Sequence, residues 1–170
     1  MSREKIITDW FTLYSDDIYQ FFIYRTGVTE AEDLVQEVYI RAIKGYNSYL
    51  GEASPKTWLL TIARNVATDE YRKQKRRKLL LLIKSKEESE STRTDTPELS
   101  FVMGEENQLL YEAIHSLKPT FRDVLILRGI KELSVPETSS ILGWTENKVR
   151  STFHRAKKAL HEKLGGYDYE

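Results

Sequence analysis

The residues of this chain whose types and spacing could do chemistry are cations and hydroxyls on one helical face near the C-terminus. Between Thr145 and Leu160, apolar side chains recur at spacings of four, three and four, the period of an amphipathic helix. These apolar residues are Val149, Phe153, Ala156 and Leu160. The opposite face carries Lys148, Ser151, Arg155 and Lys158. Such groups donate hydrogen bonds to phosphate oxygens and base edges, so this face is typical of a nucleic-acid reader.

A short helix and a glycine turn precede this basic helix and would position it. Ser134 is followed three residues later by glutamate, the capping-box pattern, and Pro136 is tolerated in a first helical turn. Gly143 can take the positive φ that ends a helix, and Thr145 can cap the next one. We therefore predict a helix-turn-helix over 134–156, with its second helix placed for the major groove. The alternative is a surface helical hairpin with a solvated charged face.

A second basic helix is predicted over Lys56–Arg77. Its inward face includes Trp58, and its far end is almost wholly cationic. In the preceding loop, Tyr46–Pro55, the rings of Tyr46 and Tyr49 offer faces on which exposed bases could stack. Aromatic residues of small helical proteins more often belong to the core, and that alternative stays open.

Catalytic and metal-binding patterns are poor. Glu112 and His115 form a Glu-x-x-His pair, but di-metal carboxylate bundles need two such pairs and two further glutamates. The other histidines, His154 and His161, lie in no such motif. The chain has no cysteine and no glycine-rich phosphate loop. We therefore predict a protein that is not an enzyme and that uses no metal ion or cofactor.

Composition favours a helical protein whose charges are segregated along the chain. Among 170 residues only eight are glycine and four are proline, which favours an all-α fold. The formal net charge is zero, which argues against a general nucleic-acid coat protein. Locally the charge is +6 over 64–84 and +4 over 145–164, against −5 over both 1–40 and 85–106. Two basic patches favour two separate contacts with DNA.

The N-terminal residues and the apolar runs favour a cytoplasmic protein. Met1–Lys5 leads into a mixed polar stretch instead of a continuous apolar segment, so we predict no signal peptide. The longest purely apolar run, Leu79–Ile83, is too short to cross a bilayer, so we predict no direct membrane insertion.

The helical patterns fall into two groups on either side of a polar segment. The first group is predicted to comprise Thr8–Tyr24, a helix that opens at Thr29, and Lys56–Arg77. Helices over Asn107–Leu117 and Thr120–Gly129 would precede the helix-turn-helix in the second. We predict an all-α fold of two small helical domains, 1–80 and 106–170, joined by a flexible linker at 81–105, the second domain being a four-helix module.

The predicted linker is defined by its composition. Ser85–Ser100 is rich in polar residues and poor in large apolar ones, which is typical of a flexible segment. Its sixteen residues would span at most about 53–58 Å when extended. One DNA turn is about 34 Å, so the two domains could bind well-separated sites on one duplex.

Asp33, Glu37 and Arg41 share one face of the second predicted helix. One interpretation is a solvated face with a Glu-to-Arg pair worth about 0.2–0.5 kcal/mol. The other is an acidic and polar docking surface. Spacing alone favours the solvated face.

Two sets of motifs point to one family. The first comprises Ala31–Glu37, Pro55–Leu59, Ile62–Asn65, Asp69 and Tyr71–Lys73. The second comprises Leu117, Pro119, Arg122, Leu125, Leu133–Ser134, Glu137, Ile141–Gly143, Val149–Ser151 and His154–Ala156. In order and spacing, over about 8–78 and 106–165, they resemble the two domains of extracytoplasmic-function (group 4) sigma factors of the sigma-70 family.

The resemblance implies a non-catalytic subunit that binds bacterial core RNA polymerase, acts at the nucleoid and directs promoter-specific initiation. Its region 2 type domain would dock on the coiled coil of the largest subunit, with a further contact at the polymerase flap. This implication outweighs the spacing argument for a merely solvated face. The implied polymerase-binding residues are Asp33, Leu34, Gln36, Glu37, Ile40 and Arg41.

The resemblance also implies two sets of promoter-reading residues. The −10 element would be read by the region 2 type domain, with an extruded base held by the loop and the following helix. Its residues are Tyr46, Asn47, Tyr49, Lys56, Thr57, Trp58, Arg64, Asn65, Arg72, Lys73 and Arg76. The −35 element would be read by the region 4 type domain. Its residues are Thr145, Asn147, Lys148, Arg150, Ser151, His154, Arg155 and Lys158.

A regulatory partner is expected as well. The polymerase-binding surface would be exposed when unbound, so we expect a membrane-bound anti-sigma protein that wedges between the domains until a stress signal releases it. The alternative function is a two-domain helix-turn-helix regulator that acts without being a polymerase subunit.

The chain departs from the family pattern in three places, and Pro136 in the first turn of its helix is one of them. Thr138 and Ser139 stand where the family usually has an aliphatic residue and alanine, so this helix should pack less apolar surface. The 47–54 loop matches the family only loosely.

Overall fold

The computed structural model describes residues 2–84 and 104–165, and within these ranges every regular element is helical. The all-α prediction is confirmed. The α-helices are α1 (Arg3–Arg25), α2 (Val28–Gly45), α3 (Pro55–Lys84), α4 (Glu105–His115), α5 (Pro119–Val124), α6 (Val135–Leu142) and α7 (Glu146–Lys163). A 3₁₀ turn, Tyr46–Ser48, follows α2, and a π-helical turn, Leu125–Ile130, continues α5.

Helix α1 begins earlier, and helix α3 ends later, than the apolar periodicity predicts. The Ser2 hydroxyl accepts a hydrogen bond from the Lys5 amide and caps α1 at its start. Helix α3 continues past Arg77 because the residues up to Lys84 are mostly Lys, Arg and Leu, which are strong helix formers. Residues 81–84 of the predicted linker are therefore helical, Glu105 opens α4, and 85–103 lie outside the described residues.

The last turns of α3 expose an unusual run of aliphatic side chains. Leu79–Ile83 are five consecutive apolar residues whose exposed fractions lie between 58% and 74%. Five consecutive residues point in all directions around a helix, so no single neighbouring face could cover them. The cations of Lys75–Lys78 and Lys84 flank the run.

The first unit, α1 to α3, is held together by an apolar core. Phe21 and Phe22 of α1, Val38 of α2, and Leu59 and Leu60 of α3 are fully buried in it. The two phenylalanine rings meet edge to face with centroids 5.5 Å apart. This core fixes the faces of α2 and α3 that remain outside.

The second unit ends in the predicted helix-turn-helix. Ser134 and Glu137 form a complete capping box at the start of α6, with hydrogen bonds of 3.1 Å in both directions. Gly143 has φ of 69°, the left-handed conformation expected at this turn. The Thr145 hydroxyl then accepts a hydrogen bond from the Lys148 amide and caps α7. The local sequence signals therefore fix the geometry of this motif.

The two units are packed against each other and share one continuous apolar core. Helix α1 contacts α4 and α5, and α3 contacts α6, the first helix of the helix-turn-helix. We call this contact between the units the seam. Sequence periodicity predicts which face of each helix is apolar, but it does not predict that the two units close on each other.

One family departure lies in the packed part of α6. Thr138 is fully buried, and its hydroxyl has no hydrogen-bond partner among the described residues. The neighbouring Ser139 hydroxyl donates to the Trp144 carbonyl. The unpaired Thr138 hydroxyl therefore lowers the stability of the fold, whereas the hydrogen-bonded Ser139 hydroxyl raises it.

Thr138→Val is expected to stabilise the protein by about 1 kcal/mol, because it removes an unpaired buried hydroxyl at little change in shape. Urea unfolding of the full chain measures the change. Ser139→Ala is the matched control and is expected to destabilise by about 1 kcal/mol, because it removes a hydrogen bond. Equal destabilisation by both substitutions would contradict the assignment of an unsatisfied hydroxyl at Thr138.

Candidate nucleic-acid interfaces and docking surface

The outer face of α7 presents all of the residues predicted to read the −35 element. Val149 and Ala156 are fully buried and fix the rotation of the helix on its unit. The predicted reading residues are exposed: Thr145, Asn147, Lys148, Arg150, Ser151, His154, Arg155 and Lys158. Several are held by neighbours on the same helix, and the Arg150 Nη1 donates to Asn147 Oδ1 at 3.2 Å. The face is therefore cationic, accessible and partly ordered before any ligand binds.

Two residues at the start of α7 have structural roles beside their exposure. The Thr145 hydroxyl is engaged as the helix cap. The Lys148 ammonium lies over the Trp144 ring at 4.5 Å from its centroid, a cation–π contact. Both side chains would have to give up these contacts in order to bind a base edge.

The predicted docking face of α2 is formed by an exposed row with one buried anchor. Asp33, Gln36 and Ile40 are exposed, whereas Leu34 is buried and holds the helix against the core. Glu37 takes part in the ion pairs of Arg41. The row therefore combines carboxylates with an exposed aliphatic side chain.

Arg41 joins α2 to α3 through two ion pairs. Its guanidinium donates to Glu37 Oε1 and to Asp69 Oδ2, each at 3.0 Å. Although burial opposes it, these two carboxylates raise the pKa of Arg41 above its ordinary value. The predicted Glu-to-Arg pair on α2 is present, and it extends to a third residue that spacing on one helix could not show.

The loop after α2 holds its two tyrosines in an aromatic cluster. The Trp10 ring lies 5.9 Å from the Tyr46 ring and 5.5 Å from the Tyr49 ring, centroid to centroid. The Tyr49 ring is also 4.9 Å from that of Trp58, and its hydroxyl donates to the Ala53 carbonyl. These rings are half-buried and pack on each other, whereas Asn47 is exposed. The rings therefore pack as the core interpretation expects, and base stacking on them stays a prediction.

The basic face of α3 divides into an open half and an engaged half. Asn65, Arg72, Lys73 and Arg76 are exposed. Lys56 instead forms an ion pair with Asp17 at 3.6 Å, and Arg64 forms one with Asp123 at 3.7 Å. Thr57 is buried, and its hydroxyl accepts from the Ser54 hydroxyl at the start of the helix. The seam therefore occupies Arg64, Asp17 of the same unit holds Lys56, and Thr57 positions the helix.

A buried charge cluster closes the seam, and sequence reasoning missed it. Arg25 Nε donates to Asp123 Oδ1 at 2.7 Å, and both side chains are almost completely buried. The Arg122 Nη1 donates to the Arg25 carbonyl at 3.1 Å. Burial raises the pKa of Asp123, and the Arg25, Arg64 and Arg122 guanidiniums oppose that rise. The sequence did contain one signal, because the charged Asp123 directly precedes the apolar run Val124–Leu127.

A second polar contact supports the seam at another place. Lys131 of the second unit donates to Gln20 Oε1 of α1 at 2.6 Å and forms an ion pair with Asp17. Although burial opposes it, Lys131 and Lys56 lower the pKa of Asp17 below its usual value. The Asp17 carboxylate therefore pairs with Lys56 of its own unit and with Lys131 of the other.

The Glu-x-x-His pair noted in the sequence lies beside the seam. The His115 imidazole stacks on the Tyr111 ring and lies 3.3 Å from the Thr26 carbonyl oxygen of the other unit. In the described ranges, no cluster of three or more acidic, histidine or cysteine side chains could hold a metal ion. Within the same ranges no helix is both long and apolar enough to span a membrane.

Two family models match this chain, one in each unit. The model for sigma-70 region 2 matches residues 10–77, and the model for sigma-70 region 4 matches residues 107–160. The first range covers most of α1, all of α2 and most of α3. The second begins within α4 and ends within α7, so it includes the whole helix-turn-helix.

Curated relatives and solved structures agree with these models. The chain is 37% identical over 154 residues to the ECF RNA polymerase sigma factor SigX of Bacillus subtilis, covering 89% of this chain and 79% of the relative. It is 32% identical to SigW of the same organism, covering 95% and 90%.

A solved complex has the same fold over nearly the whole chain. The sigma factor RpoE, crystallised with the anti-sigma factor NepR from Bartonella quintana, superposes with a TM-score of 0.75 at 25% identity, covering 95% of this chain and 98% of that one. CnrH, solved with the cytosolic domain of CnrY, gives a TM-score of 0.67 at 18% identity and supports the fold alone.

Proposed function

The chain belongs to the extracytoplasmic-function group of the sigma-70 family, and from this membership we propose that it is the promoter-specificity subunit of a bacterial RNA polymerase. The observation that carries the proposal is the outer face of α7, where all eight predicted −35 residues are exposed on a helix fixed by a capped helix-turn-helix. It acts as an initiation factor in the cytoplasm, at the nucleoid, without catalysing a reaction of its own.

Helix α7 would lie in the major groove of the −35 element. The cations Lys148 and Lys158 suit phosphate oxygens, which set the register of the helix on the duplex. The Arg150 and Arg155 guanidiniums suit base edges, because each can donate two parallel hydrogen bonds to a guanine. All four side chains are exposed, which supports contact with the duplex.

The −10 element would be read by the aromatic loop and the exposed half of the α3 basic face. Asn47 and the accessible side of the Tyr46–Tyr49 cluster suit an extruded base, which stacking can stabilise by about 1–3 kcal/mol. Arg72, Lys73 and Arg76 suit the backbone. Arg64 could join only after the seam opens, because Asp123 of the second unit holds it, whereas Lys56 would have to leave Asp17 of its own unit.

The α2 row would dock on the coiled coil of the largest polymerase subunit, with the second unit at the flap. An acidic row with one exposed aliphatic residue, Ile40, has the composition of a surface that meets a basic and apolar partner. Holding the two units on separate polymerase sites requires them to separate, which the packed seam opposes.

An anti-sigma protein would hold the chain inactive until a stress signal, and we propose a membrane-bound one. The overlap with the RpoE–NepR complex supports a partner of this class. A partner that wedges between the units would have to replace the Arg25–Asp123 and Lys131–Asp17 contacts.

Transcription with purified core polymerase tests the proposed function. A sigma factor is expected to start transcripts at a defined promoter from core enzyme that otherwise starts none. A regulator that binds DNA alone would change transcription only in the presence of another sigma factor. That second pattern would contradict the proposal.

Arg150→Ala and Arg155→Ala are each expected to weaken binding to a −35 duplex by about tenfold, because a base contact by arginine is worth about 1–3 kcal/mol. Binding to core polymerase should not change, since it involves other surfaces. Fluorescence anisotropy with a labelled duplex measures the first quantity, and co-purification with core enzyme measures the second.

Lys163→Ala is a suitable control on the same helix, since Lys163 is exposed but lies outside the predicted reading face. If it weakens binding as much as the two arginine substitutions, only general charge matters and α7 does not read the element. The salt dependence gives a further check, because a lost phosphate contact reduces the slope by about one counterion.

A further inference from the structure

A small cavity opens at the seam and is lined by both units. Its volume is about 130 Å³, roughly ten times the probe volume that a single water needs. Arg25, Glu70 and Lys78 line it from the first unit, and His115 and Arg122 line it from the second. We call it the seam cavity. None of the residues that line it belongs to the predicted −10, −35 or polymerase-binding sets.

The charges around the seam cavity do not balance. Arg25, Lys78 and Arg122 line it, and Arg64 lies behind Arg25 on the same carboxylate. The carboxylates of this neighbourhood, within the described ranges, are Glu70 and Asp123. Four cations therefore face two anions, and because Lys78 is exposed, the excess among the buried and half-buried groups is one positive charge. Excess buried charge of one sign is costly unless an opposite charge is supplied.

Among the cations of the cavity that are not exposed, Arg122 has the least compensation from carboxylates. Its Nε donates to the Leu117 carbonyl at 2.7 Å and its Nη1 to the Arg25 carbonyl at 3.1 Å. It forms no ion pair with a carboxylate of the described residues, in contrast to Arg25 and Arg64. Burial and the neighbouring Arg25 guanidinium lower the pKa of Arg122. An anion in the cavity would offset both effects.

We propose that the seam cavity binds a phosphate-class oxyanion, either free phosphate or the phosphoryl group of a small nucleotide. Phosphate has several acceptor oxygens in a compact tetrahedron, which suits the two guanidiniums and the ammonium that line the cavity. The anion holds the units together, because its ligands come from both of them. Any ligand that binds only the closed arrangement shifts the population toward it.

Isothermal titration of the full chain tests this site. Inorganic phosphate and ADP are titrated separately in chloride buffers of equal ionic strength. We expect saturable binding of one equivalent, with ADP tighter than phosphate if a nucleotide is the source and no tighter if free phosphate is.

Lys78→Glu is the deciding variant. Lys78 is exposed at the rim of the cavity, so the substitution reverses the local charge without breaking a hydrogen bond of the described residues. It is expected to weaken binding at least about tenfold, and Arg122→Gln by at least as much. Arg155→Glu makes the same charge reversal on the α7 reading face and should leave the affinity unchanged.

Three results would overturn the site. The first is a phosphate titration whose heats do not saturate and equal those of a chloride titration. The second is wild-type affinity for phosphate in a folded Lys78→Glu protein. The third is a larger loss of phosphate affinity in Arg155→Glu than in Lys78→Glu. The last would place the anion on the DNA-reading face. The titration needs neither polymerase nor promoter, so its outcome is independent of whether the chain starts transcripts.

Discussion

Asp33→Arg combined with Glu37→Arg is expected to abolish association with core RNA polymerase. Asp33 is exposed on α2, and Glu37 lies one turn further along the same face. Reversing both charges would place like charges against a basic partner, which costs several kcal/mol, so the affinity should fall at least about a hundredfold. Size-exclusion chromatography of core enzyme mixed with the variant measures the loss, and promoter-directed transcripts should disappear with it.

The control must separate a local effect from a change in total charge. Asp9→Arg with Asp16→Arg makes the same change on exposed residues of α1, away from the docking face. This protein should still bind core enzyme. Because Glu37→Arg also removes a partner of Arg41, the single variant Asp33→Arg should be measured too. Normal co-purification of the double α2 variant would remove the docking role from this face.

Asp123→Leu is expected to separate the two units. The substitution leaves the Arg25, Arg64 and Arg122 guanidiniums facing each other without their shared carboxylate. Removing one partner of a buried ion pair costs about 3–5 kcal/mol, and opening of the seam relieves that cost by letting water reach the cations. Small-angle X-ray scattering should show a larger radius of gyration, while circular dichroism retains the helical signal.

Two comparisons make this expectation specific. Asp69→Leu breaks an exposed ion pair with Arg41 and should cost less than about 1 kcal/mol without changing the radius of gyration. Arg25→Met combined with Asp123→Leu removes both partners of the buried ion pair and should therefore close the seam again. The closure should be only partial, because Arg64 and Arg122 keep their charge. An unchanged radius of gyration in Asp123→Leu would show that the apolar core alone holds the units together.

Local features of this fold could be predicted from sequence because their causes are local. The capping box at Ser134, the turn at Gly143 and the buried face through Val149 each depend on residues within one or two helical turns. Propensity also explains why α3 reaches Lys84, although apolar periodicity had suggested an earlier end.

The seam could not be predicted in this way, because its partners lie far apart in the chain. Arg25 and Asp123 are 98 residues apart, and no local pattern links them. The placement of Arg64 at the seam follows from the same contact, and its role at the −10 element stays a prediction. Thr57 is buried and its hydroxyl accepts from the Ser54 hydroxyl at the start of the helix, and its role at the −10 element also stays a prediction.

The charged seam has a consequence for how freely this sequence can vary. Its residues have to satisfy two environments, a dry contact when the units are closed and bulk water when they are apart. Leucine in place of Arg25 or Asp123 would suit the closed arrangement, but it would expose an apolar patch to water when the units are apart. An ion pair is tolerated in both environments. The buried Arg25–Asp123 pair is therefore locally less favourable than an apolar contact would be, and this keeps the contact between the two units reversible.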